Sequence, residues 1–405
     1  MHLPPAAISN ILGLTLLCLA TGAAPSWGAT RTQPHNSAAS QPGLVLPPAL
    51  IACNAADFQT LLHSAPAPTE AATLPNAPVR AVQQAVWLSA NLLQWPGTEP
   101  SSNGRFRLYH ATLGMPMPQP GEVVSTDFAA VALTLHPGPL PSRLAKRFQY
   151  LASGAVLSVS GFDSGRLREL HRQQLLLVHE DAAGTVLQAG AIQMAGALDD
   201  LYARAARTSD LGVSLTPQHV QFKLWAPTAQ AVHVCLFDTA HAAAHTAPPM
   251  LLDPNTGIWR LRQAATLRPQ YYTYLVDVWV PGEGLVRNRV TDPYSVSLNA
   301  NSQRSYIADL NAAALKPADW DQHRTPTTVK TSTDMAIYEL HVRDFSVNDD
   351  SVPLAHRGKY LAFTDQASRG MQHLRALASA GMTDVHLLPI FDIASVPESG
   401  CTHPP

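Results

Sequence analysis

The most constraining feature of this chain is a pair of apolar stretches near its end, separated by a helical pattern. Residues 337–345 alternate apolar and polar side chains, which predicts a strand buried on at least one face. Residues 366–380 carry apolar side chains on one helical face, and Gly381 follows as a residue suited to a left-handed helix cap. Residues 385–388 form a second apolar run, which Pro389 closes. Strand, helix and strand in this order predict a βαβ unit, the building block of a parallel sheet or barrel.

The same region resembles a known enzyme family. The string YELHVRDF (338–345) and the later string GMQHLRALASAGMTDVHLLPIFD (370–392) are similar to the first βαβ unit of the catalytic barrel in pullulanases and plant limit dextrinases. Those enzymes debranch α-1,6-glucans and belong to the α-amylase superfamily. The resemblance implies that residues 334–405 begin a (β/α)₈ barrel, whose site residues follow the C-terminal ends of its strands.

Short strand-like runs separated by turn residues fill residues 51–205, and this pattern predicts a β-sandwich. The strings AVWLSANLLQW and FRLYHA in this region resemble the N-terminal β-domain of pullulanases. Trp87 and Trp95 are either core residues, which is the commoner case, or platforms on which a sugar ring stacks. We therefore predict an N-terminal β-domain over this range.

Residues 210–300 predict a second β-sandwich, because alternating runs are broken by turns at Pro227 and Gly257. The string FKLWAPTAQAVHVCLFD resembles a family-48 carbohydrate-binding module, and residues 301–333 resemble the linker that follows it. The resemblance implies either α-glucan binding or a module that only supports its neighbours. Trp225 and Trp259 are the candidate carbohydrate-binding residues.

The beginning of the chain predicts export. Residues 11–24 are mostly apolar, too few for a membrane span, and small residues that suit cleavage follow them. No Lys or Arg precedes this run, so the alternative is a start codon placed ahead of a soluble protein. We predict a signal peptide over residues 1–29, a flexible leader over residues 30–50, and a secreted or periplasmic location.

Composition excludes some partners and leaves others open. A net charge of −2 with 14% charged residues gives no basic surface for nucleic acid. No Cys or His spacing is typical of zinc, and the resemblance allows a structural calcium whose ligands cannot be placed. Cys18 would leave with the signal peptide, and the strand pattern around Cys235 predicts a small buried apolar residue. The other two cysteines are Cys53 and Cys401.

No catalytic residue is assigned. Retaining glycosidases need two carboxyl groups about 5 Å apart. The resemblance places the catalytic carboxylates after the fourth, fifth and seventh barrel strands, whereas the sequence up to residue 405 matches two strands. Glu339 and Asp344 are five apart on one predicted strand, so they point to opposite faces and are interpreted as structural. His341 and Arg343 are candidates at the barrel rim, with barrel-core hydrogen bonding as the alternative.

Together these patterns predict a multidomain chain: two β-sandwich domains followed by the first βαβ unit of a truncated (β/α)₈ TIM barrel. The leading hypothesis is a pullulanase-type glycoside hydrolase whose reading frame is cut short, so that this chain alone is inactive. Its substrates would be α-1,6 bonds in pullulan, starch (amylopectin) or limit dextrins. The alternatives are a non-catalytic α-glucan-binding protein and a branching or glycogen-debranching enzyme with similar front domains.

Overall fold

The computed structural model describes residues 46–64, 84–101, 103–267, 270–324, 329–390 and 398. The predicted signal peptide and nearly all of the predicted leader lie outside the described residues, as do Cys18 and Cys401. Within the described ranges, no helix is long and apolar enough to cross a membrane.

The described chain opens with helix α1 (Pro48–Cys53) and strand β1 (Gln59–Ser64). A closed barrel follows, in which the strands lie in the order β2-β3-β6-β5-β4-β7-β8. Its elements are β2 (Ala85–Ser89), β3 (Leu92–Pro96), β4 (Arg105–Ala111), β5 (Ala129–Leu135), α2 (Ser142–Arg147), β6 (Gly154–Ser158), α3 (Ser164–Leu170), β7 (Gln174–Glu180), β8 (Val186–Gln193) and α4 (Ala195–Leu201).

The first β-domain is therefore a barrel, and the β-sandwich prediction for it was wrong. Strands β2 and β8 pair in parallel through Ala85 and Ile192, which closes the sheet and removes both of its edges. Every residue of β2, β3 and β7 is buried, so these strands are covered on both faces. The side chains of Trp87 and Trp95 lie in the barrel core with no exposed surface, which confirms their interpretation as core residues.

The second β-domain is a sandwich, as predicted. Six strands form one sheet, with β1-β16-β15-β11-β12 as its path and β17 paired to β15, and the other sheet has the order β13-β14-β10-β9. Both sheets contribute to one core, for example through Phe222 and Tyr272. The elements are β9 (Gly212–Leu215), β10 (His219–Trp225), β11 (Ala229–Phe237), β12 (Ala244–Thr246), β13 (Leu251–Asp253), β14 (Ile258–Ala264), β15 (Tyr271–Val280), β16 (Gly284–Val290) and β17 (Ser305–Tyr306).

Residues 46–64 pack on this sandwich and not on the barrel, so the barrel domain does not begin at residue 51. Strand β1 pairs antiparallel with β16, and the backbone N–H of Arg289 donates to Phe58 O at 2.7 Å. Cys53 forms a disulfide with Cys235 of β11. Cys235 is buried, as predicted, but it is a cross-link and not only a small apolar side chain.

The last described region is the predicted βαβ unit, in which β18 (Ile337–Leu340) and β19 (Asp384–Leu387) pair in parallel. Between them lie α5 (Val342–Ser346) and α6 (Arg369–Ser379). Gly381 has φ +103°, as the predicted left-handed cap requires, and the N–H of Met382 donates to Leu377 O, which makes this helix end a Schellman motif.

Strand β18 is shorter than predicted because α5 begins two residues after it. Asp344 therefore lies on a helix, and the argument that it faces away from Glu339 across one strand was wrong. The apolar side chains of Ile337 and Val385 are half exposed, and α6 has no buried residue. The described residues show this parallel pair and do not show a (β/α)₈ barrel.

Candidate functional site

Trp259 lies in the core of the sandwich, where no sugar can reach it. Its side chain is 6% exposed, and its Nε1–H donates to Ala226 O at 2.9 Å. Stacking on a sugar needs an open ring face, which this side chain lacks. Trp259 is a core residue in this structure.

Trp225 lies at the end of β10, where it joins the two β-domains. Its Nε1–H donates to Thr256 O at 3.0 Å, and its half-buried ring packs against the core of the barrel. The predicted sugar-binding side chain therefore fills a gap between two domains.

Further contacts join the barrel to the sandwich around Trp225. The indole of Trp279, at the end of β15, lies so close to Gly114 that a Cβ built on Gly114 would come within 2.3 Å of it. The side-chain amide of Gln230 donates to Thr112 O at 3.2 Å and to Arg172 O at 3.0 Å. Both domains supply backbone and side chains to one continuous surface.

Arg168 of α3 extends the same surface. Its guanidinium donates to Leu201 O at 2.9 Å and to Asn255 Oδ1 of the sandwich at 3.5 Å, and it lies over the ring of Tyr202. The side chains of four residues thus form the contact surface between the two domains, which we call the interdomain seam: Arg168, Trp225, Gln230 and Trp279.

A cavity of about 110 Å³ lies within the interdomain seam, lined by residues that include His171, Gln174, Thr228 and Trp279. This volume lies well below the range of about 300–1,000 Å³ that is usual for small-ligand sites. His171 is buried, its Nδ1–H donates to Leu167 O at 2.7 Å, and its Nε2 has no partner among the described residues. Burial lowers the pKa of His171, because a second proton on the ring would place a positive charge where water cannot solvate it.

A second cavity, of about 370 Å³, opens on the wall of the barrel beside the buried Glu180. The hydroxyl of Tyr109 donates to one carboxylate oxygen of Glu180 at 2.6 Å, and Arg107 Nε lies 3.3 Å from the other. Burial, followed by the hydrogen bond to Glu180, raises the pKa of Tyr109 to about 12. Because both oxygens of Glu180 already have partners, this arrangement stabilises the wall and offers no free acid or base. Sequence reasoning missed this pair, although a Glu that ends an apolar strand was a usable signal.

The two predicted rim residues lie at the C-terminal end of β18. His341 caps α5 by accepting a hydrogen bond at Nδ1 from the N–H of Asp344 at 3.4 Å, and Arg343 is exposed on the first turn of that helix. The nearby carboxylates contact histidines: Glu339 lies 3.1 Å from His386, and Asp344 lies 3.7 Å from His341.

In the described ranges, no group of three or more His, Cys, Asp or Glu side chains could hold a metal ion.

The fold and the interdomain seam define a class of protein: two β-domains joined ahead of a parallel βαβ unit. Residues 82–200 match the family described as Pullulanase N2 domain, and residues 210–295 match Carbohydrate-binding module 48 (Isoamylase N-terminal domain). The chain thus carries the N-terminal domains of the pullulanase family.

Individual relatives agree with this assignment. The chain is 36% identical over 322 residues to a pullulanase of Klebsiella pneumoniae, covering 78% of this chain and 29% of that protein. It is 35% identical over 270 residues to the chloroplastic pullulanase 1 of Arabidopsis thaliana, covering 66% and 27%. A crystal structure of Klebsiella pneumoniae pullulanase complexed with maltotriose superposes with a TM-score of 0.70 at 35% identity, covering 78% of this chain and 30% of that one. The chain thus spans about three tenths of the length of these relatives.

Proposed function

We propose that this chain serves a pullulanase-type debranching enzyme, a glycoside hydrolase acting on α-1,6 bonds in pullulan, starch or limit dextrins. In this proposal the closed barrel formed by strands β2 to β8 and the sandwich bind α-glucan and hold it for the catalytic domain. The βαβ unit would be the first part of a (β/α)₈ catalytic barrel. The pullulanase relatives support this proposal, one of which is known with maltotriose bound.

The interdomain seam is the observation that carries the positioning role. Trp225 and Trp279 of the sandwich pack against the barrel, and Gln230 and Arg168 add hydrogen bonds across the boundary. Domains that are joined only by a flexible linker change their relative orientation freely. Domains joined by half-buried aromatic rings and hydrogen bonds keep one orientation, so a glucan bound to them is presented in one direction.

The alternative is a non-catalytic α-glucan-binding protein. It is favoured by the pairing of the described carboxylates near the parallel strands, since Glu339 and Asp344 each contact a histidine and not each other. Retaining hydrolysis needs two carboxyl groups facing one bond. Both functions require α-glucan binding, and only the first requires an associated hydrolytic activity.

We also propose that the protein acts in an oxidising compartment, outside the cell or in the periplasm. The disulfide between Cys53 and Cys235 supports this location, because such bonds persist in oxidising environments and are rare in the cytosol.

The test uses the purified 405-residue chain on native gels cast with pullulan, with hydroxyethyl cellulose as the β-glucan control. Retardation by pullulan alone supports α-glucan binding, and equal mobility in both gels contradicts it. Incubation with pullulan then tests whether this chain hydrolyses pullulan by itself. We expect no maltotriose from this chain, because its described carboxylates offer no catalytic pair. Release of maltotriose by the pure chain would show that the chain is itself a hydrolase.

A further inference from the structure

The linker after the sandwich presents a tryptophan to solvent. Trp320 is 60% exposed and lines an open cavity of about 320 Å³. A 3₁₀ turn over Trp320–Gln322 holds it, and the N–H of His323 closes this turn on Asp319 O at 3.1 Å. Lys316 and Asp321 pin the same turn through an ion pair at 2.7 Å. The ring is therefore exposed on a locally ordered turn.

Polar residues line the cavity beside this ring. The cavity is lined by Asp319, Gln322 and His323 together with Trp320. Within the described part of the chain, the side chains of Asp319, Gln322 and His323 make no hydrogen bond to protein. Asp319 has φ +64°, a left-handed conformation that aspartate tolerates better than most residues other than glycine.

We propose that Trp320 is a stacking platform for a glucose unit of an α-glucan. A pyranose ring has an apolar C–H face that packs on an indole and hydroxyl groups at its rim that need donors and acceptors. The cavity offers the exposed indole for the first, and its polar lining residues, Asp319, Gln322 and His323, for the second. The volume of the cavity beside Trp320 lies at the low end of the range for small-ligand sites.

This inference rests on the proposed glucan binding and names the residue that carries part of it. Trp225 and Trp259 cannot serve as platforms here, because the first packs against the barrel and the second is buried in the sandwich core. An open indole in the linker is a different surface from either of them.

The experiment compares the full chain with Trp320→Ala, Trp320→Phe and Asp319→Gly. Affinity for pullulan is measured on native gels, and affinity for maltotriose is measured by titration calorimetry, with cellotriose as the β-linked control. Tyr150→Ala is the matched control, because Tyr150 is a 73% exposed aromatic residue on the barrel. Thermal melts check folding, and Asp319→Gly adds no backbone strain because glycine adopts positive φ freely.

We expect Trp320→Ala to weaken binding roughly tenfold or more, the loss typical of a stacked aromatic anchor. Trp320→Phe should keep part of the affinity, Asp319→Gly should weaken it less, and Tyr150→Ala should leave it unchanged. Unchanged binding in Trp320→Ala, when the wild-type chain binds pullulan, overturns this inference and leaves the proposed function standing. If the wild-type chain binds neither pullulan nor maltotriose, both fail.

Discussion

Cys53 and Cys235 are 182 residues apart in the sequence, and their Cα atoms lie 5.7 Å apart across a disulfide. The bond fastens helix α1 to strand β11 of the sandwich. The side chain of Asn54 adds a polar clamp next to it, accepting from the N–H of Ala244 at 2.7 Å and donating to Ala244 O at 3.2 Å. The segment before the barrel is therefore part of the sandwich.

Replacing Cys53 with serine should release this segment and lower the free energy of unfolding by about 2–4 kcal/mol, since the closed loop restricts the unfolded chain. Urea unfolding of the wild-type chain and Cys53→Ser measures the loss. In the presence of dithiothreitol the two proteins should unfold alike. A difference that persists after reduction would mean that the serine acts through packing and not through the bond.

The contact between Gly114 and Trp279 gives a test of the interdomain seam. Gly114→Ala should destabilise the chain, because a Cβ there would lie 2.3 Å from the indole and because Gly114 has φ +97°. Gly121→Ala is the matched control, with φ +92° and no atom within 4 Å of its Cβ position.

The backbone cost of positive φ is about 1–3 kcal/mol and is common to both variants. Overpacking against Trp279 should add about 1–3 kcal/mol to Gly114→Ala alone, measured by urea unfolding. Shortening the neighbour with Trp279→Leu should remove that extra cost in a double-mutant cycle. Equal losses in the two alanine variants would mean that the ring moves aside freely, and the seam would not be rigid at this point.

His171 predicts a pH dependence of stability. Because burial lowers its pKa below 6.5, the folded state binds fewer protons at this group than the unfolded state does just below that pH. Its contribution to stability is complete above about pH 6.5 and falls as the pH drops towards the folded pKa, by at most about 1.4 kcal/mol per pH unit.

His171→Asn keeps a donor for Leu167 O and does not titrate. Urea unfolding of both proteins at pH 5 to 8 should therefore give a smaller decline on acidification in the variant. Parallel curves for the two proteins would contradict a buried neutral imidazole.

The hydroxyls of Tyr272 and Tyr274 both donate to one oxygen of the buried Asp292, at 2.7 and 3.2 Å. The other oxygen accepts from the N–H of Tyr294 at 2.8 Å. In all three contacts Asp292 is the acceptor. Asp292→Asn should therefore place an amide N–H against one of the three donors and lower the free energy of unfolding by about 1–3 kcal/mol. Tyr272→Phe should cost about 1 kcal/mol, and the exposed Tyr150→Phe should cost nothing measurable. If thermal and urea unfolding show that Asp292→Asn is as stable as the wild-type chain, the cluster must rearrange.

Local patterns in the sequence determined most of the elements. The strands around Trp87, Phe222 and Tyr274 and the helix that ends at Gly381 lie where alternation, helical periodicity and turn residues place them. These features depend on neighbours a few residues apart, which the sequence states directly. The order of strand, helix and strand near the end of the chain also followed from local pattern, and the described structure pairs its strands in parallel.

Tertiary structure alone decided which strands meet. Alternation of apolar and polar residues indicates which face of a strand is buried but not which strand it pairs with. The sequence patterns of a sandwich and a barrel are therefore alike, and only the pairing of Ala85 with Ile192 distinguishes them. The same limit applied to Cys53 and Cys235, since cysteine connectivity does not follow from spacing. Trp225 and Trp259 shared one predicted role, yet one packs against the barrel and the other is buried in the sandwich. Which face of an aromatic ring stays open depends on the domain packed against it, and that is a contact between residues far apart in the chain.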